Sequence, residues 1–79
     1  MEVIQTLNQL PQNKKAIIKA INGGRGLIRR LNSLGVFPGK LIYKTSSGIA
    51  RGPVVFKCGA TELAIGFGMA QKIIVEPVN

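Results

Sequence analysis

The chain is short and strongly basic: it has 79 residues, of which 46% are hydrophobic, and a net charge of +8. This length suits one small domain, and the apolar content excludes a disordered tail. The sequence lacks both an apolar run of the ~20 residues that span a bilayer and the N-terminal pattern of a secretory signal. We therefore expect a single domain over residues 1–79, located in the cytoplasm.

The residue types on which most enzymes and metal sites depend are scarce. Histidine and aspartate are absent, three glutamates are the only acidic residues, and Cys58 is the single cysteine. These counts remove the usual acid–base pairs, the common nucleophile–histidine pairs and most ligands of zinc or iron. We expect a protein that is not an enzyme and has no cofactor and no identifiable metal-ligating residues, with Cys58 as a small buried hydrophobe. Whether it binds any metal is left open.

The positive charge is concentrated in one long stretch. Ten lysines and arginines lie between Val3 and Thr61, where the sequence has no acidic residue. Such an imbalance favours an acidic partner. Nucleic acid, an anionic membrane face and an acidic protein surface all satisfy it, so charge alone leaves these three open.

The N-terminal segment predicts a turn followed by a strand. Residues 6–10 have a capping threonine and two leucines at i, i+3 spacing, which indicate one helical turn that ends before Pro11. Asn13 suits a turn position with left-handed geometry. Residues 14–23 are typical of a strand, but isoleucine lies on both of its faces, so we expect a bulge or burial of both faces.

Residues 26–35 predict the one helix. Apolar side chains recur at i, i+4 and i+7, which gives a stripe for the core. Gly35 falls at the position of a left-handed C-cap. We expect Val36 and Phe37 to pack under the helix, before a corner at Pro38–Gly39. The stripe consists of Leu27, Ile28, Leu31 and Leu34.

The rest of the chain predicts further strands at residues 40–47, 53–58, 62–66 and 72–78, a loop at 48–52 and an irregular turn at 66–71. One face of the strand at 40–47 carries Leu41, Tyr43 and Thr45. Short strands separated by glycine turns indicate a mainly β fold. We expect a small closed barrel of about five short strands with one short α-helix.

A barrel of this size needs large side chains inside. We therefore expect Met69 to fill the core under the last turn. The aromatic residues are expected to be mostly core as well, and these are Phe37, Tyr43, Phe56 and Phe67.

In their order and spacing, these segments resemble the FeoA family (ferrous iron transport protein A) over nearly the whole chain. LNQLPQNKKAIIKAING resembles the family's opening leucines, turn and first strand. RRLNSLGVFPG resembles its arginine-leucine helix with the Leu-Gly end and Pro-Gly corner. GPVVFKCGATELAIGFGMAQKIIVE resembles its closing part. The residues that carry the resemblance are Leu27, Leu31, Leu34, Gly35, Pro38, Gly39, Gly52, Pro53, Met69 and Ala70.

Two positions depart from the family pattern. Asn13 stands where the family usually has glycine, and both residues have access to left-handed geometry. Gly66 stands where a longer polar residue often follows the apolar pair, so a contact made by that side chain is not expected in this chain.

The resemblance implies an SH3-like barrel and a cytosolic accessory protein of a bacterial or archaeal ferrous iron uptake system. The implied partner is the membrane transporter FeoB, which carries a cytosolic GTP-binding domain. The implied role is to bind FeoB and modulate its Fe(II) transport. Whether it activates, inhibits or tethers the transporter is left open.

The candidate partner-binding residues are Arg25, Arg29 and Arg30. At 100° per residue, the first two lie opposite the apolar stripe and the third flanks it. They could be a solvated helix face, with the stem of Arg30 over the barrel. They could also dock an acidic patch on the transporter, or supply an arginine finger to a bound nucleotide. The preceding glycines indicate a turn rather than a phosphate cradle, because the P-loop ending is absent.

The main alternative function is a basic small barrel that binds nucleic acid. The positive charge favours this function. However, proteins that bind single strands present several aromatic residues on which bases stack, and here Tyr43 is the only good candidate for that role. A reader of proline motifs is disfavoured by the lack of tryptophan. A weak, salt-sensitive association with anionic membranes and the formation of homo-oligomers are further expectations.

Overall fold

The computed structural model describes residues 3–46 and 51–78, so part of the loop predicted at 48–52 lies outside the described residues. In chain order the elements are β1 (Gln5–Thr6), β2 (Lys15–Ile21), α1 (Arg25–Ser33), β3 (Leu41–Ser46), β4 (Val54–Cys58), β5 (Thr61–Ile65), α2 (Phe67–Ala70) and β6 (Ile73–Val78). The strands form one antiparallel sheet with the hydrogen-bonded order β1-β6-β2-β3-β4-β5. The predicted mainly β class is confirmed.

The helical turn predicted near the N-terminus is present. The N–H groups of Gln9 and Leu10 donate to the carbonyl oxygen of Thr6 at 3.0 and 3.2 Å, and the Gln9 side-chain oxygen accepts from the Thr6 N–H at 3.0 Å. The Gln9 side chain thus caps the Thr6 N–H as in one half of a capping box, and the bonds to the Thr6 carbonyl close one helical turn. Leu7 and Leu10 are buried, and Asn13 adopts the left-handed conformation with a φ of 65°.

β2 contains a bulge, which was one of the two explanations for isoleucine on both faces. In the pairing with β6, Ile18 lies opposite Val75 and Ala20 lies opposite Ile74, so Lys19 is the extra residue. An extra residue bends a strand and increases its twist. The bulge therefore helps the sheet to curve around its core.

α1 ends before the predicted residue 35, in a Schellman motif. The N–H of Val36 donates to the carbonyl oxygen of Leu31 at 2.9 Å, and the N–H of Gly35 donates to that of Asn32 at 3.0 Å. This motif needs a left-handed residue, and Gly35 has a φ of 84°. The predicted glycine C-cap is confirmed, and Val36 is buried beside it as expected.

Two side chains predicted for the core are exposed instead. Leu34 is 41% exposed and Phe37 is 40% exposed. Leu34 follows the last helical residue and lies at the open end of the apolar stripe. Phe37 begins the Pro-Gly corner, where its ring centroid lies 5.5 Å from the ammonium of Lys40. Among the aromatic residues, Phe56 is fully buried as predicted.

The face of β3 that enters the core is opposite to the face that carries most of its apolar side chains. Ile42 and Lys44 are buried, whereas Leu41 is 49% exposed and Tyr43 is half-buried. Successive residues of a strand point to opposite faces. A shift of the strand register by one residue therefore exchanges all the side chains that face the core with those that face solvent. The prediction that Tyr43 is mostly core is therefore wrong.

The segment predicted as an irregular turn contains the helix α2. The N–H of Ala70 donates to the carbonyl oxygen of Gly66 at 3.0 Å, which is the helical i to i−4 bond. A helix of one turn can bury few side chains, and in α2 the buried residue is Ala70. Phe67 and Met69 are half-buried, so their prediction as core residues is wrong.

Candidate partner-binding site

The outer face of α1 carries three exposed arginines, Arg25, Arg29 and Arg30, while Leu31 is buried on the inner face. The first turn of the helix contains no acidic residue. Across residues 3–46 and 51–78, the ion pair present joins Lys19 to Glu76, with 3.4 Å between Nζ and Oε1. The three guanidinium groups therefore present unneutralised charge to solvent, where they attract an acidic surface.

An apolar groove runs beside this helix. It has a volume of about 170 Å³ and lies between α1 on one side and β5 with α2 on the other. The exposed Leu34 and the half-buried Met69 both line it, which accounts for two residues that the core does not enclose. The lining residues are Leu27, Arg30, Leu31, Leu34, Leu63, Ala64, Ile65, Gly66 and Met69.

Arg30 connects the basic face to the groove. It is exposed and is the charged residue of the groove lining. It lies in the last turn of α1, where a cation interacts favourably with the carbonyl end of the helix. The hydroxyl of Ser33 donates to the carbonyl oxygen of Arg30 at 2.7 Å and occupies one of the free carbonyls of that end. The groove thus has a positive charge at its helical wall.

A second arginine lies near the opposite wall. The guanidinium of Arg51 is 5.7 Å from the ring centroid of Phe67, which stands in α2 between the groove residues Gly66 and Met69. Sequence reasoning did not identify Arg51, because its contact joins a residue that precedes β4 to a helix that was predicted as an irregular turn. This contact adds positive charge on the α2 side.

The chain also buries a lysine that the sequence analysis missed. Lys44 is fully buried, and its ammonium donates to three carbonyl oxygens: Leu7 at 3.0 Å, Asn8 at 3.1 Å and Leu10 at 2.6 Å. Burial lowers the pKa of the Lys44 ammonium from the ordinary lysine value, because desolvation disfavours its charged form.

The role of Lys44 follows from its partners. A buried lysine with a lowered pKa is often a functional group, but here backbone carbonyls occupy all three of its donors. It therefore ties the N-terminal turn to β3 and supports the fold. The one signal in the sequence is its spacing from Ile42, since residues two apart share a face of a strand.

The other predicted motif residues build turns and core. The corner at Pro38–Gly39 is confirmed by a φ of 97° at its glycine, whose N–H donates to the carbonyl oxygen of Ile18 at 2.8 Å. Gly52–Pro53 immediately precedes β4. Cys58 is buried as expected, and its thiol donates to the carbonyl oxygen of Gly35 at 3.5 Å.

Residues 3–46 and 51–78 contain no group of three or more metal-ligating side chains that could hold an ion. Within these residues, no helix is long and apolar enough to cross a membrane.

Comparison with protein families decides where the chain belongs. A model of the FeoA domain matches residues 5–77. The chain belongs to the FeoA family. The resemblance inferred from its helix, corner and closing strands is therefore confirmed.

Individual relatives of this FeoA chain agree with the assignment. It is 34% identical over 65 residues to a candidate Fe(2+) transport protein A of Methanocaldococcus jannaschii, covering 82% of this chain and 77% of that protein. The crystal structure of an iron uptake regulatory protein, FeoA, has a TM-score of 0.87 at 29% identity and covers 96% of this chain and 100% of that one.

A third relative confirms the predicted SH3-like fold. The zinc complex of FeoA from Stenotrophomonas maltophilia is described as a procaryotic SH3 domain protein. It has a TM-score of 0.76 at 25% identity and covers 90% of this chain and 88% of that one.

Proposed function

We propose that this chain is a cytosolic accessory protein that binds the transporter FeoB of a prokaryotic ferrous iron uptake system and modulates its Fe(II) transport. Membership of the FeoA family supports a role in ferrous iron transport. The proposal for the binding partner rests on one observation, which is that exposed arginines on α1 stand beside an apolar groove.

This arrangement favours a protein partner. Arginine and apolar side chains are enriched in the buried centres of protein interfaces, where lysine is depleted. Opposite charges on two surfaces speed their encounter and fix their relative orientation. We therefore expect an acidic patch on the cytosolic portion of FeoB, with an apolar side chain beside it that enters the groove.

The competing interpretation is that the arginines are only a solvated helix face, which is the usual state of exposed helix charges. The variant Arg25→Glu with Arg29→Glu separates the two interpretations. Both residues are exposed and outside the groove lining, so the variant is expected to fold normally. Its affinity for FeoB is expected to fall at least about tenfold, since like charges at an interface repel.

The test is binding to the GTP-binding domain of the cognate FeoB at near-physiological salt, with nucleotide-free, GDP and GTP-analogue forms compared. The matched control is Lys14→Glu with Lys57→Glu, which changes the charge equally at two exposed lysines outside α1 and outside the groove. Loss of binding in the arginine variant alone supports the proposal. Equal affinities of the arginine variant and the unaltered chain would contradict the docking role of α1.

A second measurement addresses modulation. Fe(II) uptake by vesicles that contain full-length FeoB is compared with and without the chain. A change in uptake that the arginine variant fails to produce supports modulation through α1. A short single-stranded DNA is the control for the alternative function, and tight binding that resists salt would favour nucleic acid instead.

A further inference from the structure

A second surface combines lysines with a tyrosine and protruding apolar side chains. We call it the lysine face, and its residues are Lys15, Phe37, Lys40, Leu41, Tyr43 and Lys57. Its strand residues lie on the outer side of the sheet, because the alternating residues Ala16, Ile42 and Phe56 are buried. This surface shares no residue with the groove lining.

The strand pairing places two lysines on either side of the tyrosine. Lys15 in β2 lies opposite Tyr43 in β3, and Tyr43 lies opposite Lys57 in β4. Since neighbouring strands are about 4.8 Å apart, the backbones of the two lysines are about 10 Å apart. The Tyr43 hydroxyl donates to the side-chain oxygen of Asn13 at 3.3 Å, which holds the ring in place. A hollow of about 310 Å³ is lined by Tyr43, the two lysines and Leu41.

The Pro-Gly corner, which leads directly into Leu41 of this face, forms an apolar tip. The N–H of Lys40 donates to the carbonyl oxygen of Phe37 at 3.2 Å, which closes a tight turn. Phe37 and the next strand residue, Leu41, are 40% and 49% exposed. Large apolar side chains exposed together beside charged residues mark interaction sites. The ammonium of Lys40, 5.5 Å from the Phe37 ring centroid, brings a third cation to the tip.

We propose that the lysine face binds the surface of an anionic lipid bilayer. Its three lysines lie at the level of the phosphates, the hollow receives a headgroup, and the apolar tip reaches the interfacial region. This proposal goes beyond the proposed function and does not depend on it. It predicts that the chain concentrates at the cytoplasmic leaflet, which is anionic and attracts basic segments.

The side-chain chemistry selects a membrane over a protein. Lysine is depleted in protein interfaces, whereas at a bilayer its long apolar stem can lie along apolar surface while its charge stays at the polar level of the phosphates. Tyrosine, with one apolar and one polar end, is enriched where membranes meet water. The tip protrudes from a turn, so it can enter a soft surface without a matching pocket.

Removal of an acidic group near the lysine face should change membrane binding in the opposite direction from removal of a lysine. Glu62 in β5 lies opposite Lys57, so it offsets part of the charge of the lysine face. Glu76 lies opposite Ile17, but it is ion-paired with Lys19. Removal of the Glu62 charge is therefore expected to strengthen binding, whereas removal of lysines weakens it.

The chain carries its own probe, because Tyr43 is the only tyrosine and tryptophan is absent. Tyrosine emission therefore reports from the lysine face. The experiment measures its quenching by vesicles of phosphatidylcholine and phosphatidylglycerol whose acyl chains are brominated. We expect saturable quenching at low salt. The quenching is expected to disappear with phosphatidylcholine alone and at about 1 M salt, where the Debye length is about 3 Å.

Paired variants locate the binding surface. Lys15→Gln with Lys57→Gln is expected to weaken vesicle binding about 25-fold, at about fivefold for each lysine. Glu62→Gln is expected to strengthen it by up to about fivefold. Leu41→Ser, which removes the most exposed side chain of the tip, is also expected to weaken it. Unchanged far-ultraviolet circular dichroism shows that each variant is folded.

Two controls remove equivalent groups elsewhere. Arg25→Gln with Arg29→Gln removes the same charge from α1, and Ile4→Ser removes an apolar side chain that is 57% exposed. At about 0.1 M salt, where the Debye length is about 10 Å, each is expected to change vesicle binding less than about twofold, since neither group belongs to the lysine face. Equal losses in the arginine and lysine variants would overturn the proposal, and so would the absence of quenching at low salt. Stronger binding to single-stranded DNA, lost in the lysine variant, would overturn it in favour of nucleic acid.

Discussion

The molecule presents positive charge on two surfaces that differ in shape and in side-chain chemistry. On α1, arginines stand beside a concave apolar groove of about 170 Å³. On the lysine face, lysines stand beside apolar side chains that protrude from a turn. The first arrangement suits a protein with an acidic patch and a side chain to insert, and the second suits an anionic bilayer.

The difference shows that a net charge of +8 does not describe one binding property. Lys44 is in a third environment, because it is buried among backbone carbonyls and cannot contact another molecule. The type of cation, the shape around it and its burial together decide what each positive charge does.

The largest expected effect separates the buried lysine from the exposed ones. Lys44→Met keeps the length of the side chain but removes a donor from three carbonyl oxygens, of which that of Leu7 keeps the N–H of Leu10 at 3.3 Å. The free energy of unfolding is expected to fall by about 2–6 kcal/mol, at about 1–3 kcal/mol for each of the other two carbonyls. Urea unfolding measures it. The control Lys57→Met, at an exposed lysine on the neighbouring strand, is expected to change it by less than about 0.5 kcal/mol.

The next effect distinguishes Leu31, which is buried, from Leu34, which follows α1 and is exposed in the groove. Leu31 is 3% exposed, and Leu31→Ala is expected to cost about 2–3 kcal/mol, near the lower end for buried leucines because the adjoining groove lets the site relax. Leu34→Ala is expected to cost less than about 1 kcal/mol. It is nevertheless expected to weaken binding to FeoB. Equal stability losses in the two variants would show that Leu34 belongs to the core.

A smaller effect concerns Gly35, which ends α1 and begins the segment that leads to the apolar tip. Gly35→Ala is expected to cost about 1–2 kcal/mol, because its left-handed φ is unfavourable for a residue with a Cβ, although that atom would meet no neighbour within 4 Å. Gly26→Ala makes the same change inside α1 and is expected to stabilise by about 0.5–1 kcal/mol. Thermal unfolding of both variants measures this difference in sign, and a loss of stability in Gly26→Ala would contradict it.

Much of the fold could be predicted because its signals are local. The left-handed positions at Asn13 and Gly35 follow from residue type, and the stripe on α1 follows from helical spacing. Isoleucine on both faces of β2 indicated either a bulge or burial of both faces, and the structure has the bulge, at Lys19. Each of these features depends on a few consecutive residues.

The features that were missed depend on contacts between distant parts of the chain. The register of β3 places Lys44 inward because the N-terminal turn supplies carbonyl acceptors for its ammonium. These acceptors are 34 to 37 residues away along the chain. The groove joins α1 to β5 and α2, and the lysine face joins three strands through their register. Neither surface exists before the sheet is assembled.

The most direct test measures two variants against two partners. Two variants remove equal charge: an arginine variant, Arg25→Gln with Arg29→Gln, and a lysine variant, Lys15→Gln with Lys57→Gln. The binding of each is measured to the GTP-binding domain of FeoB and to anionic vesicles. We expect the arginine variant to lose binding to the domain and to keep binding to the vesicles, and the lysine variant to show the reverse. If both variants lose both partners to the same extent, the two surfaces act only through total charge, and their assignment to different partners is wrong.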